Sequence, residues 1–244
     1  MKKILFCLSL ASFALLTSCS SDSSSENLPE NAKYIKTVHM VDTEDGTDET
    51  ITVNYNTDGS VSSVTDGTET NGFVYNGSNQ LTTITGDSDP FSISELYDAP
   101  YDGYEFGEVL QYDSNGNPKK LRLFERDYDG NIVDEYVGEI TYDSQANPFL
   151  HTLEKAGILD VLDGVELNFS AVSTSEEIVM ANQLLFVNNP KTFTVKDLEN
   201  NVRETVVANY VYDADGYPTS ATFTSTDVDS GDISVSTATY TYLP

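Results

Sequence analysis

The two histidines, His39 and His151, lie far apart in the chain. A histidine-based triad would need one of them beside a nucleophile and a carboxylate. No Gly-x-Ser-x-Gly elbow, His-Glu-x-x-His pair, phosphate-binding loop or Gly-x-Gly-x-x-Gly fingerprint occurs. Carboxylates are the abundant chemistry, with 40 acidic residues against 12 basic ones. Two of them at a suitable separation would suffice to hydrolyse a glycosidic bond, but nothing in the sequence marks such a pair. Three acidic sets have spacing suited to a hard cation: Asp127 with Asp129 and Asn131, Asp213 with Asp215, and Asp227 with Asp229 and Asp232. None continues into a full twelve-residue calcium loop, and each set is equally the composition of a tight turn. The sequence therefore assigns no catalytic residue, no metal ligand and no cofactor. It leaves weakly held calcium open.

The cysteines point elsewhere. Met1-Lys2-Lys3 is a short basic leader, and Ile4 to Leu16 is an apolar run broken only by Ser9 and Ser12. Leader, short apolar run and small residues before a cut are the marks of a secretory signal, and the run is shorter than the roughly 20 residues of a membrane span. Leu16-Thr17-Ser18-Cys19 resembles the bacterial lipobox. The resemblance implies that residues 1–18 are a lipoprotein signal peptide and that Cys19 becomes a diacylated N-terminus. Two acyl chains hold a protein on a membrane where one holds it only marginally. The other cysteine, Cys7, lies within the segment that would be removed, so no intramolecular disulfide can form in the remainder, and no cysteine–histidine zinc site either. Residues 19–33 are rich in serine and read as a flexible tether. In the lipoprotein sorting rule, Ser20 in place of aspartate implies the outer membrane.

The acidic excess, a formal charge of −28, opposes binding to nucleic acid and to anionic head groups. It suits a solvated surface and attraction for cations.

Residues 34–244 must supply the elements that carry any site, and one turn recurs through them. Tyr55-Asn-Thr-Asp-Gly59, Tyr75-Asn-Gly-Ser-Asn79, Tyr112-Asp-Ser-Asn-Gly116 and Tyr212-Asp-Ala-Asp-Gly216 share a pattern, with variants at Arg126 to Gly130 and Tyr142 to Ala146. Asp or Asn opens a type I turn by bonding the backbone two residues on, and Gly or Asn then accepts the left-handed conformation that closes a hairpin. Ala146 departs from the pattern, since an alanine held left-handed costs about 1–2 kcal/mol. Looser turns are expected at Asp42 to Gly46, Thr65 to Gly72 and Asp227 to Gly231. The flanks alternate with period two. Val206, Ala208, Tyr210 and Tyr212 share one face, and Thr205, Val207, Asn209 and Val211 the other. Ala238, Tyr240 and Tyr242 alternate likewise with Val235, Thr237, Thr239 and Thr241. The expectation is an all-β fold, an antiparallel meander of about a dozen strands forming a large curved sheet or open barrel.

Tyr-Asp-x-x-Gly-Asn followed by a strand resembles the YD repeat of Rhs-type proteins. With the lipobox, the serine tether and Tyr142-Asp-Ser-Gln-Ala-Asn-Pro-Phe149, the chain looks like Bacteroidetes-type lipoproteins built on such repeats. The resemblance implies an extended curved sheet and carries over no active site.

An insertion at about 148–190 lacks the turn and holds the longest aliphatic clusters. Short helices are expected over 152–162 and 174–185, as a plug on an apolar sheet face or barrel end. Together these features describe a non-catalytic, lipid-anchored envelope module. It binds or supports through an acidic Tyr/Thr-rich sheet, with a glycan or protein as partner and the membrane held through Cys19. The alternative is a polysaccharide-acting hydrolase using paired carboxylates. Aligned tyrosines would serve either sugar stacking or cross-strand pairing within the sheet.

Overall fold

A carboxylate that caps two backbone N–H groups can hold a reversal with no help from the core, and this is how the repeated turn is built. In a computed structural model describing residues 32–43, 46–86, 104–127, 129, 131–158 and 186–244, Asp113 Oδ1 accepts from Asn115 N at 2.8 Å and Asn117 N at 2.9 Å. The backbone closes from Asp113 N to Asn117 O at 2.9 Å, and Gly116 sits at φ 86°, a conformation open to glycine at no steric cost. The turns at Asn56, Asn76 and Asp213 repeat this closure. So does Asp127, as expected. A further copy at Asp197 to Asn201, with Asn200 at φ 69°, was not anticipated. Tyr142 to Ala146 corrects the expectation: it is the end of a strand, and Asp143 still caps Gln145 N at 2.8 Å but no reversal follows. Alanine there never enters the left-handed region.

The turns join twelve antiparallel strands in one open sheet, and the sheet is not closed into a barrel. In chain order they are β1 (Ile35–Asp42), β2 (Asp48–Tyr55), β3 (Val61–Thr65), β4 (Thr70–Tyr75), β5 (Leu81–Thr85), β6 (Glu105–Tyr112), β7 (Pro118–Arg126), β8 (Ile132–Ala146), β9 (Asn188–Asp197), β10 (Val202–Tyr212), β11 (Pro218–Asp227) and β12 (Ile233–Tyr242). The spatial order is β5-β4-β3-β2-β1-β12-β11-β10-β9-β8-β7-β6. The chain thus starts mid-sheet, steps outward to one edge, and begins again at the opposite edge to step back. β12 then pairs with β1, register Val38 to Tyr240 and Met40 to Ala238.

Alternation sets the two faces. Val38, Met40, Val53, Phe73, Ile84, Leu121, Leu123, Ile140, Phe193, Val195, Val206, Ala208, Phe223 and Tyr240 are buried inward in one continuous cluster. Outward lie threonines in cross-strand rows, such as Thr37 with Thr241 and Thr141 with Thr192. The faces expected for β10 and β12 are those observed.

One helix stands among the described residues, α1 (Pro148–Lys155). It begins four residues before the expected start because Asn147-Pro148 is not a strand entrance. Asn147 caps the helix, accepting from Phe149 N at 3.1 Å, and Pro148 takes the first turn, where a missing N–H costs nothing. α1 covers one end of the inner face, as a plug should: Thr152 Oγ1 accepts from Ile35 N at 3.0 Å, and Phe149 packs edge-on to Tyr240. Gly157, at φ 73°, lies so close to Leu81 that a Cβ would come within 3.0 Å of the Leu81 Cβ. The insertion ends before Asn188, where β9 begins; the second expected helix, over 174–185, lies outside the described residues.

Candidate functional site

Because hairpins alternate ends, the sheet has two dissimilar rims. One carries the turns after β2, β4, β6 and β10, together with α1, the start of β1 and the end of β12. Here the strand-ending tyrosines act as latches. Tyr55, Tyr75, Tyr142, Tyr210 and Tyr242 each donate the phenol proton to a carbonyl near the start of the preceding strand: Ile35, Val61, Pro118, Pro190 and Pro218 respectively, at 2.5–3.1 Å. The buried Asn117 completes this capped end. Its amide donates to Asp113 and Asn188, and its oxygen accepts from Val187 N and Asn188 N. These five tyrosines thus point inward and pack on the core, as Tyr242 does against Tyr217, whereas Tyr112 is exposed.

The other rim, formed by the turns after β7, β9 and β11, is open. Along each neighbouring strand the inward positions pass from apolar to polar: Leu121, Leu123, Glu125 on β7; Ala208, Val206, Glu204 on β10; Ala221, Phe223, Ser225, Asp227 on β11; Ala238, Ser236, Ser234 on β12. They end in a cleft of about 870 Å³. At its base Tyr104 and Tyr136 meet edge to face, centroids 4.8 Å apart. Burial first, then the hydrogen bond donated to Glu125 at 2.9 Å, pushes the Tyr136 phenol up to about 12; burial raises Tyr104 as well. Both rings are therefore neutral at physiological pH. Ser225 donates to Glu204 at 2.9 Å. Arg203 bridges Asp197 at 2.8 Å and Asp229 at 2.9 Å. The Asn201 side-chain amide first, then its backbone N–H and Arg203, hold Asp197 down to about 2. The cleft carboxylates are half-buried or exposed.

The residues singled out by spacing separate accordingly. Cys19 lies outside the described residues. Asp213 and Asp215 sit at the capped end, where Lys33 occupies both at 2.6 and 2.7 Å. Asp127 caps its own turn through Asp129 N and Asn131 N. Asp227, Asp229 and Asp232 do reach the cleft. Among the described residues no three His, Cys, Asp or Glu side chains converge as metal ligands. His39 is on the outer face, 2.9 Å from Asp48, and His151 is buried on α1. Sequence reading missed Arg203, Glu204, Ser225 and Ser234. Their signal was present: Glu204 shares the parity of Val206 and Ala208, a charge in an inward register position.

No protein-family profile and no curated protein sequence matches the chain. Among solved structures it is similar to a porin-like protein from Bacteroides uniformis, at 14% identity over 86% of this chain and 96% of that one, TM-score 0.41. A porin-like protein from Bacteroides vulgatus follows at 12%, covering 86% and 99%, TM-score 0.39. A putative outer membrane lipoprotein-sorting protein domain from Vibrio parahaemolyticus stands at 11%, covering 86% and 83%, TM-score 0.27.

Proposed function

We propose that the protein is a non-catalytic envelope lipoprotein, held on the outer membrane by lipid on Cys19, whose open-end cleft receives a ligand. The observation that carries this reading is the asymmetry of the rims. The chain enters β1 at the capped end, tied there by Lys33 to Asp213 and Asp215 and by Leu243 N to Tyr34 O at 2.9 Å. The described chain thus enters the sheet at the end away from the cleft. Solvated carboxylates and neutral tyrosines suit recognition better than proton transfer.

Two measurements on cells test it. Labelled palmitate should enter the wild type and the protein should sediment with membranes; Cys19→Ser should lose both. A Cys19→Ser protein that stays membrane-bound would remove the anchor. Polysaccharide cleavage that disappears in Glu204→Gln or Asp134→Asn would replace the receptor by the hydrolase.

A further inference from the structure

We propose that the open-end cleft binds an alkylammonium group, as carried by the lysine side chains of a basic peptide. The proposal rests on reading the cleft as a ligand site and names what that ligand must be. Nine Asp and Glu side chains line the cleft against one cation, Arg203, whose guanidinium is already engaged by Asp197 and Asp229. A neutral sugar would leave that like-charge crowding as it is, whereas a cation relieves it. A bare metal ion fits poorly, because the space is about 870 Å³ and no trio of acidic ligands converges among the described residues.

A second, independent observation lies beneath the acidic rim. Ser234 is only 8% exposed, lines the cleft from the inner face of β12, and its hydroxyl makes no hydrogen bond with any described residue. A hydroxyl in the cleft wall that no described residue engages is free to bond a ligand, and an N–H from a ligand can donate to it. Its cross-strand neighbour Ser225 is already committed to Glu204. Nearby, the edge-to-face Tyr104 and Tyr136 pair, with the Tyr136 hydroxyl fixed on Glu125, offers aromatic surface for an aliphatic stem and a cation.

Calorimetric titration of the full-length chain in non-ionic detergent tests this with N-acetyl-trilysine amide, spermidine, N-acetyl-trialanine amide and calcium chloride. Trilysine should bind and trialanine should not, with affinity falling at least tenfold between about 0.05 M and about 0.5 M NaCl. Ser234→Ala should weaken trilysine about tenfold. The exposed pair Asp134→Asn with Glu199→Gln should weaken it further, and Thr239→Ala on the outer face should not. Spermidine binding as tightly as trilysine would keep the ammonium and discard the peptide. Calcium that displaces trilysine, and needs Asp227 and Asp232, overturns the proposal in favour of a metal. Silence towards both amines with an unchanged circular dichroism spectrum also overturns it, as does full affinity in Ser234→Ala. None of these three results touches the receptor reading, which falls to polysaccharide turnover.

Discussion

The two rims are built from the same hairpins and have opposite chemistry. At the capped end, tyrosine hydroxyls donate to strand-start carbonyls, the buried Asn117 accepts from the Val187 and Asn188 N–H groups, and α1 accepts from the Ile35 N–H, so the inner face there is covered. At the open end the same inward positions carry Glu125, Glu204, Ser225 and Ser234, and the face ends in water. The strand pattern repeats; what differs is whether a second layer is brought down upon it. A hairpin sheet of this kind can thus separate a covered end that stabilises it from an end left open to solvent.

That contrast is open to attack by substitution. The largest effect is expected from Ile35→Ala at the capped end, where the side chain is 1% exposed. A loss of about 2–5 kcal/mol in urea unfolding is expected; a loss under about 1 kcal/mol would mean the cap contributes little. Asn117→Ala, which strands the Val187 and Asn188 N–H groups, should cost about 2–3 kcal/mol by the same measurement. Tyr242→Phe, leaving the Pro218 carbonyl without its phenol, should cost about 1 kcal/mol. Ser234→Ala at the open end should leave stability within about 0.5 kcal/mol of wild type.

The pH response should also belong to the capped end. Burial holds the His151 imidazole below its ordinary 6.5, and neither ring nitrogen has a hydrogen-bond partner among the described residues. An unfolded chain takes up a proton near pH 6.5 that the folded one resists. Stability is therefore complete above that pH and declines as the pH falls through it. Unfolding at pH 7.5 and pH 5.5 should show this slope, and His151→Leu should flatten it. The smallest effect is expected at the open rim: Asp134→Asn with Asp232→Asn should raise Tm by about a degree at low salt, through relief of repulsion, and by nothing at high salt. A fall in Tm there would mean those carboxylates stabilise the rim.

Turn chemistry is local, and that is why it could be read from the sequence. Asp113, Asp127 and Asp213 cap N–H groups two and four residues away, and Gly116 and Gly216 take left-handed φ wherever the chain lies. Period-two alternation likewise grouped Val206 with Ala208, and Ala238 with Tyr240, before any partner strand was known. An antiparallel meander of about a dozen strands followed from those two signals.

Which strands meet, and what lies over them, was beyond such signals. The pairing of β1 with β12 joins residues some two hundred positions apart and depends on the whole sheet's register. Asn147-Pro148 has a composition compatible with both a turn and a helix start; the choice was made by α1 settling on Ile35, Tyr75 and Leu81. The same long-range assembly gave Lys33 to one acidic pair and gathered Asp197, Glu204 and Asp227 from three strands into one cleft. Local propensity reaches only a few residues along the chain, so the residues alone determined the bends and the faces. The rim that closes and the rim that stays open were decided by contacts that exist only once distant strands are side by side.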